Sequence, residues 1–374
     1  MGRQAPARQT RIDQLRQQAL ELLESHNQQV AALRDKVEKA NALNPRLRCA
    51  FPVEDRLMNQ IPEPEVDRPH VVLAADGSQI YPSRHDRVAF GLINVGAIRV
   101  QPGCAITPRE TIHSELLYDE ALNAPDGQLT EGGVALLRDV RERVRLAELA
   151  EQETLPVVAL TDGPLEPFFE PQENSQFQNL FKDFLDALGR LRDCGASAAG
   201  YVDKPHSDLV VRLLEIAALP EQSLDHAGKP DSRRFAGVTD ISLFRERLNP
   251  GERSALFEIR SVMARKFADK LRLHFFYLNV GRQDHPYLVR VEVPAWVAES
   301  QQLLDLLHST LLKQCRLLGS MPYPYALHRS HEVAVVTFEE KWQLLNMIEV
   351  ELLRNGVVLG VPSSKQTAKN ASNR

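Results

Sequence analysis

Long apolar runs and paired cysteines are both missing from this chain of 374 residues. No apolar stretch reaches the roughly 18 residues that a membrane-spanning helix needs, and the N-terminus lacks the apolar segment of a secretory signal. The cysteines are scattered without a CxxC spacing, which argues against a structural zinc and favours reduced thiols: Cys49, Cys104, Cys194 and Cys315. We therefore expect a cytoplasmic protein without a membrane partner.

Two kinds of catalytic signature are absent as well. The chain has no GxxxxGK[ST] phosphate loop, so it should not hydrolyse ATP by itself. It also has no convincing Ser/His/Asp or Cys/His arrangement for covalent catalysis. The formal net charge of −5 argues against a protein that coats nucleic acid through bulk electrostatics. A local basic path would still allow nucleic-acid binding.

What the sequence does contain is a pair of matching segments, 71–78 and 157–164. In each, an apolar run long enough for a buried strand ends in Asp-Gly, at Asp76 and at Asp162. A carboxylate at the end of a buried strand, followed by a glycine that permits close approach, is typical of α/β active sites. Asp-Gly is also a common strand-ending turn. If the two strands are neighbours, the carboxylates converge, and a hard divalent cation would fit between them.

The order of the remaining elements predicts the topology. The patterns indicate strands at 87–100, 156–161, 197–202, 273–280, 287–293 and 333–338, and helices at 131–151, 175–193, 207–217, 252–270, 300–318 and 340–354. A meander, a crossover helix and then a parallel strand form the RNase H-like topology, in which the last strand lies beside the first. We predict an α/β fold: an RNase H-like mixed sheet flanked by helices, with a long N-terminal helix and a helical and strand insertion.

Three regions follow from this organisation. Residues 1–60 form an N-terminal amphipathic helix, predicted at about 10–40, and a proline-marked linker. Residues 70–355 form the main domain, and residues 362–374 a disordered tail. The basic excess of the N-terminal helix could contact DNA, and a solvated helix face is the alternative. The helix could serve dimerisation, docking of a partner, or both.

A third carboxylate is expected from the crossover helix at 131–151. That helix runs antiparallel to the strands, so its first half lies near their carboxyl ends. Glu142 fits this placement best, and Glu148, Glu131 and Glu115 are the other candidates. Any of these glutamates could instead be an ordinary solvated acid.

The segment 321–332 gathers prolines, tyrosines and histidines between a predicted helix and a predicted strand. An imidazole here could ligate a metal or donate to a phosphate. A tyrosine hydroxyl could orient a phosphate, and its ring could stack on a base. A packed loop with satisfied histidines and tyrosines is the alternative interpretation.

Taken together, these segments resemble the NurA nuclease family. The similar stretches are Ala75-Asp76-Gly77-Ser78, Leu160-Thr161-Asp162-Gly163-Pro164-Leu165, Gly200-Tyr201-Val202-Asp203-Lys204, Val289-Arg290-Val291-Glu292-Val293-Pro294 and the segment from Tyr323 to His331. The resemblance covers about residues 70 to 340. It implies an RNase H-like core, a DNA nuclease that uses manganese or magnesium (two ions), a homodimer, and partnership with HerA, a hexameric DNA-translocating ATPase.

The resemblance also implies roles for individual residues. Asp76 and Asp162 would be metal ligands, together with the helix glutamate, for which Glu142 is our choice. His331 would be a further ligand or a catalytic group, Tyr323 a functional tyrosine, and both Tyr323 and Lys204 contacts to nucleic acid. The expected function is metal-dependent hydrolysis of DNA phosphodiesters during the processing of DNA ends. The alternatives are an inactive scaffold for the ATPase and an RNase H-like nuclease for RNA or hybrids.

Overall fold

The computed structural model describes residues 5–82, 88–118, 122–124, 127–128, 130–167 and 175–357. The predicted tail at 362–374 lies outside these ranges. Within them, no helix is both long and apolar enough to cross a bilayer.

Strands and helices alternate along most of the chain. The strands are β1 Cys49–Pro52, β2 Val71–Ile80, β3 Gly91–Val100, β4 Arg109–Leu117, β5 Asn123–Ala124, β6 Gly127–Gln128, β7 Val157–Asp162, β8 Ser197–Val202, β9 Phe257–Arg260, β10 Leu273–Asn279 and β11 Leu288–Pro294. The α-helices are α1 Ala5–Ser25, α2 Val30–Leu43, α3 Glu131–Ala150, α4 Ser175–Asp193, α5 Leu209–Ala218, α6 Asp240–Phe244, α7 Ala295–Ala298, α8 Gln301–Leu317, α9 Tyr325–Ala334 and α10 Phe338–Arg354. Short 3-10 helices lie at Glu221–His226, Pro230–Ser232, Ala264–Lys266 and Asp269–Leu271.

Nine of the strands form one sheet, in the order β1-β9-β10-β11-β8-β7-β2-β3-β4. Strand β7 runs parallel to β2 on one side and to β8 on the other. The other paired neighbours in this sheet are antiparallel. The β2-β3-β4 meander, the crossover helix α3 and the parallel strand β7 beside β2 confirm the predicted RNase H-like arrangement.

Strands β7 and β8 have continuous apolar sequences because they lie at the centre of this sheet. Every residue of each strand except the last is buried, because helices cover both faces. Helices α3 and α4 pack together, and α3 also packs on β2. On the other face, α8 packs against β7 and β8, and α9 against β2 and β3. The sheet is therefore covered by a layer of helices on each face, as predicted.

Capping residues fix where three of these helices begin. Thr130 accepts a hydrogen bond from the Gly133 amide at the start of α3, and Ser300 does the same at the start of α8. Thr337 and Glu340 form a reciprocal capping box at the start of α10. Each cap satisfies backbone N–H groups that the first helical turn leaves without intrahelical partners.

The N-terminal region contains two helices instead of the single long one that we predicted. Helix α1 ends at Ser25 and α2 begins at Val30. In the turn between them, the Asn27 side chain accepts a hydrogen bond from the Met58 amide at 2.9 Å. Both helices pack on α5, and α2 also contacts β1. Because the chain breaks between them, α1 and α2 can each pack an apolar face on the same domain while running in different directions.

The predicted helix at 252–270 is wrong. This stretch forms β9 and two short 3-10 helices, although its apolar residues recur at helical spacing. Strand β9 lies between β1 and β10, and Phe257 and Ile259 are buried there. Pairing on both sides outweighs the local periodicity.

The predicted strand at 333–338 is also wrong. Helix α9 continues to Ala334, Val335 has an exposed side chain, and Thr337 already caps α10. The β-branched run has no neighbouring strand to pair with in the described sheet. The segment 321–332 is therefore mostly helix, and this matters for the direction of its side chains.

Candidate active site

Asp76 and Asp162 lie side by side at the centre of the sheet. Strands β2 and β7 pair in parallel, with Ala75 opposite Thr161 at the end of the shared ladder. The next positions are the two aspartates, on strands that are about 4.8 Å apart. Equivalent positions of adjacent strands project to the same face, so both carboxylates are directed toward the side that α8 and α9 cover. This is the convergence that the matching segments predict.

One detail of the prediction needs correction. Asp76 does not end its strand, because β2 continues to Ile80 in uninterrupted pairing with β3. The strand that ends at this level is β7, whose last residue is Asp162. The half of β2 beyond Asp76 has no partner on the β7 side, and this leaves a notch in the sheet next to the two carboxylates.

His331 reaches Asp76 from α9. Its Nδ1 donates a hydrogen bond to Asp76 Oδ2 at 2.6 Å, while the Gly77 amide donates to Oδ1 at 2.8 Å. The imidazole itself is 65% exposed, and its Nε2 has no partner within the described ranges. Asp76 therefore holds the ring in one tautomer and turns Nε2 toward solvent.

A glycine sets the close approach of α9. Gly96 pairs with Asp76 across β2 and β3, so both face the same helix. A Cβ atom at Gly96 would come within 2.5 Å of the Ala334 amide nitrogen and 2.8 Å of the Ser330 carbonyl oxygen. The register of β3 is continuous on both sides, so Gly96 does not interrupt its strand. Gly96 instead leaves room for the helix that carries His331.

Side chains of the sheet also fix the end of α9. The Ala334 carbonyl accepts hydrogen bonds from Ser78 Oγ at 2.6 Å and from Asn94 Nδ2 at 2.8 Å. Asn94 is in turn oriented by Ser114 Oγ, which donates to its Oδ1 at 2.6 Å. Three adjacent strands thus position the turn of helix that presents His331.

Glu142 approaches the same strand from the opposite face. It lies on α3 and is 4% exposed. A Cβ atom at Gly77 would lie 2.7 Å from Glu142 Oε1, which shows how near this carboxylate comes to the residue after Asp76. Burial, followed by the charge of Asp139, raises the pKa of Glu142 to about 8. Arg138 offsets part of this with Nε at 3.3 Å from Oε1.

The other candidate glutamates are placed differently. Glu115 lies on β4 and accepts two hydrogen bonds from Arg141, and this contact lowers its pKa. Glu148 pairs with Arg145 along α3 at 3.0 Å. Glu131 is exposed in the first turn of α3. Of the four glutamates, Glu142 is the one that lies against β2 beside Gly77, the residue after Asp76.

Tyr323 lies just before α9 and contacts Asp162. Its hydroxyl donates a hydrogen bond to the Asp162 carboxylate, and burial raises the pKa of Tyr323 well above its ordinary value. Its ring meets that of Tyr201 edge-on at 5.5 Å between centroids. Tyr201 is fully buried and donates to the Pro322 carbonyl at 3.1 Å, which fixes the backbone beside Tyr323.

Asp162 itself is exposed, yet its pKa is raised. Desolvation by the surrounding protein is the main cause, opposed by the hydrogen bond from Tyr323 and increased by the negative charge of Asp76. The charge of Asp203, just after β8, adds to this effect. Our sequence reasoning did not assign Asp203, although it lies between two quoted motif residues.

Lys204 is the one predicted site residue that the structure leaves apart from the others. It is exposed in the loop after β8, and its side chain has no partner within the described ranges. Its backbone φ of 44° is in the left-handed region, which is unusual for a residue with a side chain. Asp203, its neighbour, accepts a hydrogen bond from the Tyr287 hydroxyl at 2.6 Å.

A buried carboxylate holds the loop that follows Asp162. Glu292 on β11 is completely buried, and its Oε2 accepts hydrogen bonds from the amides of Leu165 at 2.8 Å and Glu166 at 3.3 Å. Arg290 compensates its charge at 2.7 Å. Sequence reasoning gave Glu292 no role, yet two charged residues inside an apolar strand are a signal that could have identified this support.

The donor set suits a divalent cation. Asp76 and Asp162 place two carboxylates side by side, and Glu142 reaches the same strand from its other face. Desolvation raises the pKa values of both Asp162 and Glu142, and the charge of Asp76 adds to each shift. Hard cations such as Mg²⁺ prefer such ligands. In the described part of the chain, no three His, Cys, Asp or Glu side chains already surround one point. Glu142 would have to turn from Arg138 to share an ion.

The order of the strands, together with aspartates on the central parallel pair, defines the class: an RNase H-like protein. The chain matches the NurA domain over residues 70–336. It therefore belongs to the NurA family, as its motifs indicated.

A solved structure agrees with this assignment. The NurA nuclease from Sulfolobus solfataricus is similar with a TM-score of 0.51 and 11% identity, over 90% of this chain and 96% of that chain. The catalytic domain of human endonuclease V is a more distant likeness, with a TM-score of 0.35 and 14% identity over 81% of this chain and 94% of that one. No curated protein matches the chain in sequence. Family and fold together support a nuclease.

Proposed function

We propose that this protein is a metal-dependent deoxyribonuclease that hydrolyses phosphodiester bonds, with Asp76, Asp162 and Glu142 as metal ligands. One observation carries the proposal: two aspartates occupy adjacent positions on the central parallel strands of an RNase H-like sheet, in a member of the NurA family. The buried Glu142 on the crossover helix, beside Gly77 on the other face of β2, would supply a third carboxylate by turning toward the ion.

The metal would be manganese or magnesium, as one ion or two. When bound, such ions polarise the phosphate and lower the pKa of bound water. The raised pKa values of Glu142 and Asp162 support this role, because a cation would favour their charged forms.

The chain's own residues would then orient the reaction. Asp76 holds the Nδ1 proton of His331, so the exposed Nε2 is free to accept or return a proton at the edge of the site. The Tyr323 hydroxyl keeps its own proton and holds Asp162 in place. We assign His331 to proton transfer. If it is instead a ligand, His331→Gln will weaken manganese binding and not only the turnover rate.

Lys204 and the face of Tyr323 would contact the nucleic acid. Lys204 is an exposed cation with no partner within the described ranges, one residue after Asp203, in the loop that leaves β8 beside Asp162. A DNA-translocating ATPase of the HerA type, a homodimer and the processing of DNA ends belong to the same proposal, and they rest on family membership. The absence of a phosphate loop in the sequence fits a motor on a separate chain.

The direct test is cleavage of labelled DNA with manganese by the full chain and by two variants. Asp76→Asn and Asp162→Asn keep the shape of each side chain and remove its charge, so we expect at least a 100-fold loss of cleavage with an unchanged circular dichroism spectrum. Asp193→Asn at the far end of α4 is the matched control and should cleave normally. Unchanged cleavage by Asp76→Asn would refute the enzyme proposal and leave a scaffold.

The substrate is tested in the same assay. Labelled DNA, RNA and hybrid duplexes of one sequence are offered separately. Cleavage of DNA supports the proposal, while hydrolysis of RNA alone would replace it with an RNase H-like activity on RNA.

A further inference from the structure

A cationic groove lies between the N-terminal helix and the segment before α6. It is a cavity of about 360 Å³ whose lining includes four arginines, and we call it the arginine groove: Arg8, Arg11, Arg233 and Arg234. Ile12 and Leu15 form its apolar floor. Gly237 packs against Ile12, since a Cβ atom there would lie 3.6 Å from the isoleucine side chain. The two halves of the groove are thus held together by ordinary packing.

The positive charge of the groove is mostly uncompensated. Arg233 is balanced, because it pairs with Asp208 at 2.5 Å and with Glu215 at 2.8 Å. Arg8, Arg11 and Arg234 are exposed and have no acidic partner within the described ranges. Arg234 rests over the ring of its neighbour Phe235 at 5.3 Å. Three unpaired guanidinium groups around one small cavity repel one another, and an anion placed between them would relieve this repulsion.

A short loop connects the groove to the end of the sheet at which the candidate active site lies. Strand β8 ends beside Asp162, and the loop 203–208 leads from there to the start of α5. Asp208, the last residue of this loop, holds Arg233 of the groove. Five residue steps span at most about 18 Å.

We propose that the arginine groove binds the phosphate backbone of the DNA strand, away from the bond that is cut. This inference rests on the proposed nuclease function and extends it from the cleaved bond to the substrate strand. Guanidinium groups match phosphate oxygens in bidentate geometry, and loop 203–208 also carries Lys204 as an intermediate cation. The N-terminal helix thereby has a defined role, which its basic composition left open.

The test uses the full chain with Asp76→Asn as background, so that binding is measured without cleavage. Binding of a single-stranded 20-mer is titrated at several salt concentrations for this parent and for R8A/R11A/R234A. Each phosphate contact on a single strand contributes about 0.7 to the slope of log K against log salt. Loss of three contacts should therefore reduce the slope by about 2 and weaken binding at least ten-fold at low salt.

Two matched variants separate charge from structure. R8K/R11K/R234K keeps the three charges and should recover most of the salt slope. R190A/R192A removes two arginines from the last turn of α4, at the opposite end of the sheet, and should bind like the parent. In the cleaving protein, the defect of R8A/R11A/R234A should grow with substrate length, from slight on a 4-mer to full on a 20-mer.

The outcomes are distinct. An unchanged salt slope for R8A/R11A/R234A on the 20-mer would overturn the proposal. If this variant binds DNA normally but no longer binds polyglutamate, the proposal is also overturned, and the groove is a site for an acidic protein. If the parent Asp76→Asn cleaves as well as wild type, the nuclease assignment fails, while the binding titration still decides the role of the groove.

Discussion

At Glu142, a buried carboxylate that metal binding would require lowers the stability of the folded chain when it is charged. Its carboxylate is buried and its pKa is raised to about 8, first by burial and then by the charge of Asp139. The folded chain therefore retains a proton that the unfolded chain releases above about pH 4.5. Stability contributed by this group is present below that pH and falls as the pH rises toward 8.

We expect Glu142→Gln to remove the fall in folding stability that wild type shows as the pH rises toward 8. Without metal at pH 8, the variant should be more stable than wild type by on the order of 2 kcal/mol, while its manganese affinity and cleavage fall. Thermal unfolding in EDTA at pH 5 and pH 8 measures the effect. A variant that is equally destabilised at both values would show that Glu142 serves packing alone.

His308 makes the opposite contribution to the pH profile. It is fully buried, its Nε2–H donates to the Gly251 carbonyl at 2.8 Å, and its Nδ1 has no partner within the described ranges. Burial lowers its pKa to about 4. Because the folded pKa lies below the ordinary 6.5, the stability from neutral His308 is complete above pH 6.5 and is lost as the pH falls toward 4.

We therefore expect acidification from pH 6.5 to 4 to destabilise the wild type by up to about 3 kcal/mol through this residue. His308→Gln can keep a donor for Gly251 without the titrating group, so its urea midpoint should depend less on pH in this window. The exposed His226, replaced by Gln, is the control and should leave the profile unchanged. An equal pH dependence in His308→Gln and wild type would contradict the assignment.

At the scale of elements, the close packing of α9 on the sheet requires that residue 96 has no side chain. The backbone of α9 lies so close to Gly96 that a methyl group there would meet Ala334, Val333 and Ser330 backbone atoms within 2.8 Å. A helix backbone cannot rotate away as a flexible side chain can. Any residue other than glycine at this position must push the helix, and His331 with it, away from Asp76.

Gly96→Ala should therefore destabilise the protein by about 1–3 kcal/mol and reduce cleavage by more than the unfolded fraction explains. The control is Gly189→Ala, in helix α4, where nothing lies within 4 Å of the added atom. That variant should gain about 0.5–1 kcal/mol. Chemical denaturation and the cleavage rate at saturating DNA measure both effects. Normal cleavage by a folded Gly96→Ala variant would show that α9 tolerates the shift.

The same elements show what the sequence could and could not predict. Strands β7 and β8 and helix α4 were predictable because apolar runs and amphipathic periodicity reflect burial directly. Strand β9 was not, since its partner β1 lies about 200 positions earlier in the sequence. The aspartates could be found from a local signal, Asp-Gly after an apolar run. The choice of Glu142 required the depth of α3, and the contact between His331 and Asp76 required the fold.

At the scale of the whole molecule, bound metal should stabilise the folded state. A ligand that binds only the folded chain adds about 2.7 kcal/mol at 100 times its dissociation constant. Saturating manganese should therefore raise the melting temperature of wild type by several degrees relative to EDTA. The double variant Asp76→Asn/Asp162→Asn should show no such rise in the same scan. A similar rise in both proteins would place the bound metal elsewhere.

Residues that are far apart in the sequence meet at the candidate site, and this has a consequence for biosynthesis. Asp76 and His331 are 255 positions apart, and Arg48, near the beginning, pairs with Glu166 in the loop after Asp162. A nascent chain emerging from the ribosome carries both aspartates long before Glu292 and His331 have been translated. The candidate site is thus completed only after His331 has been translated, and a chain that ends before this residue should not cleave DNA.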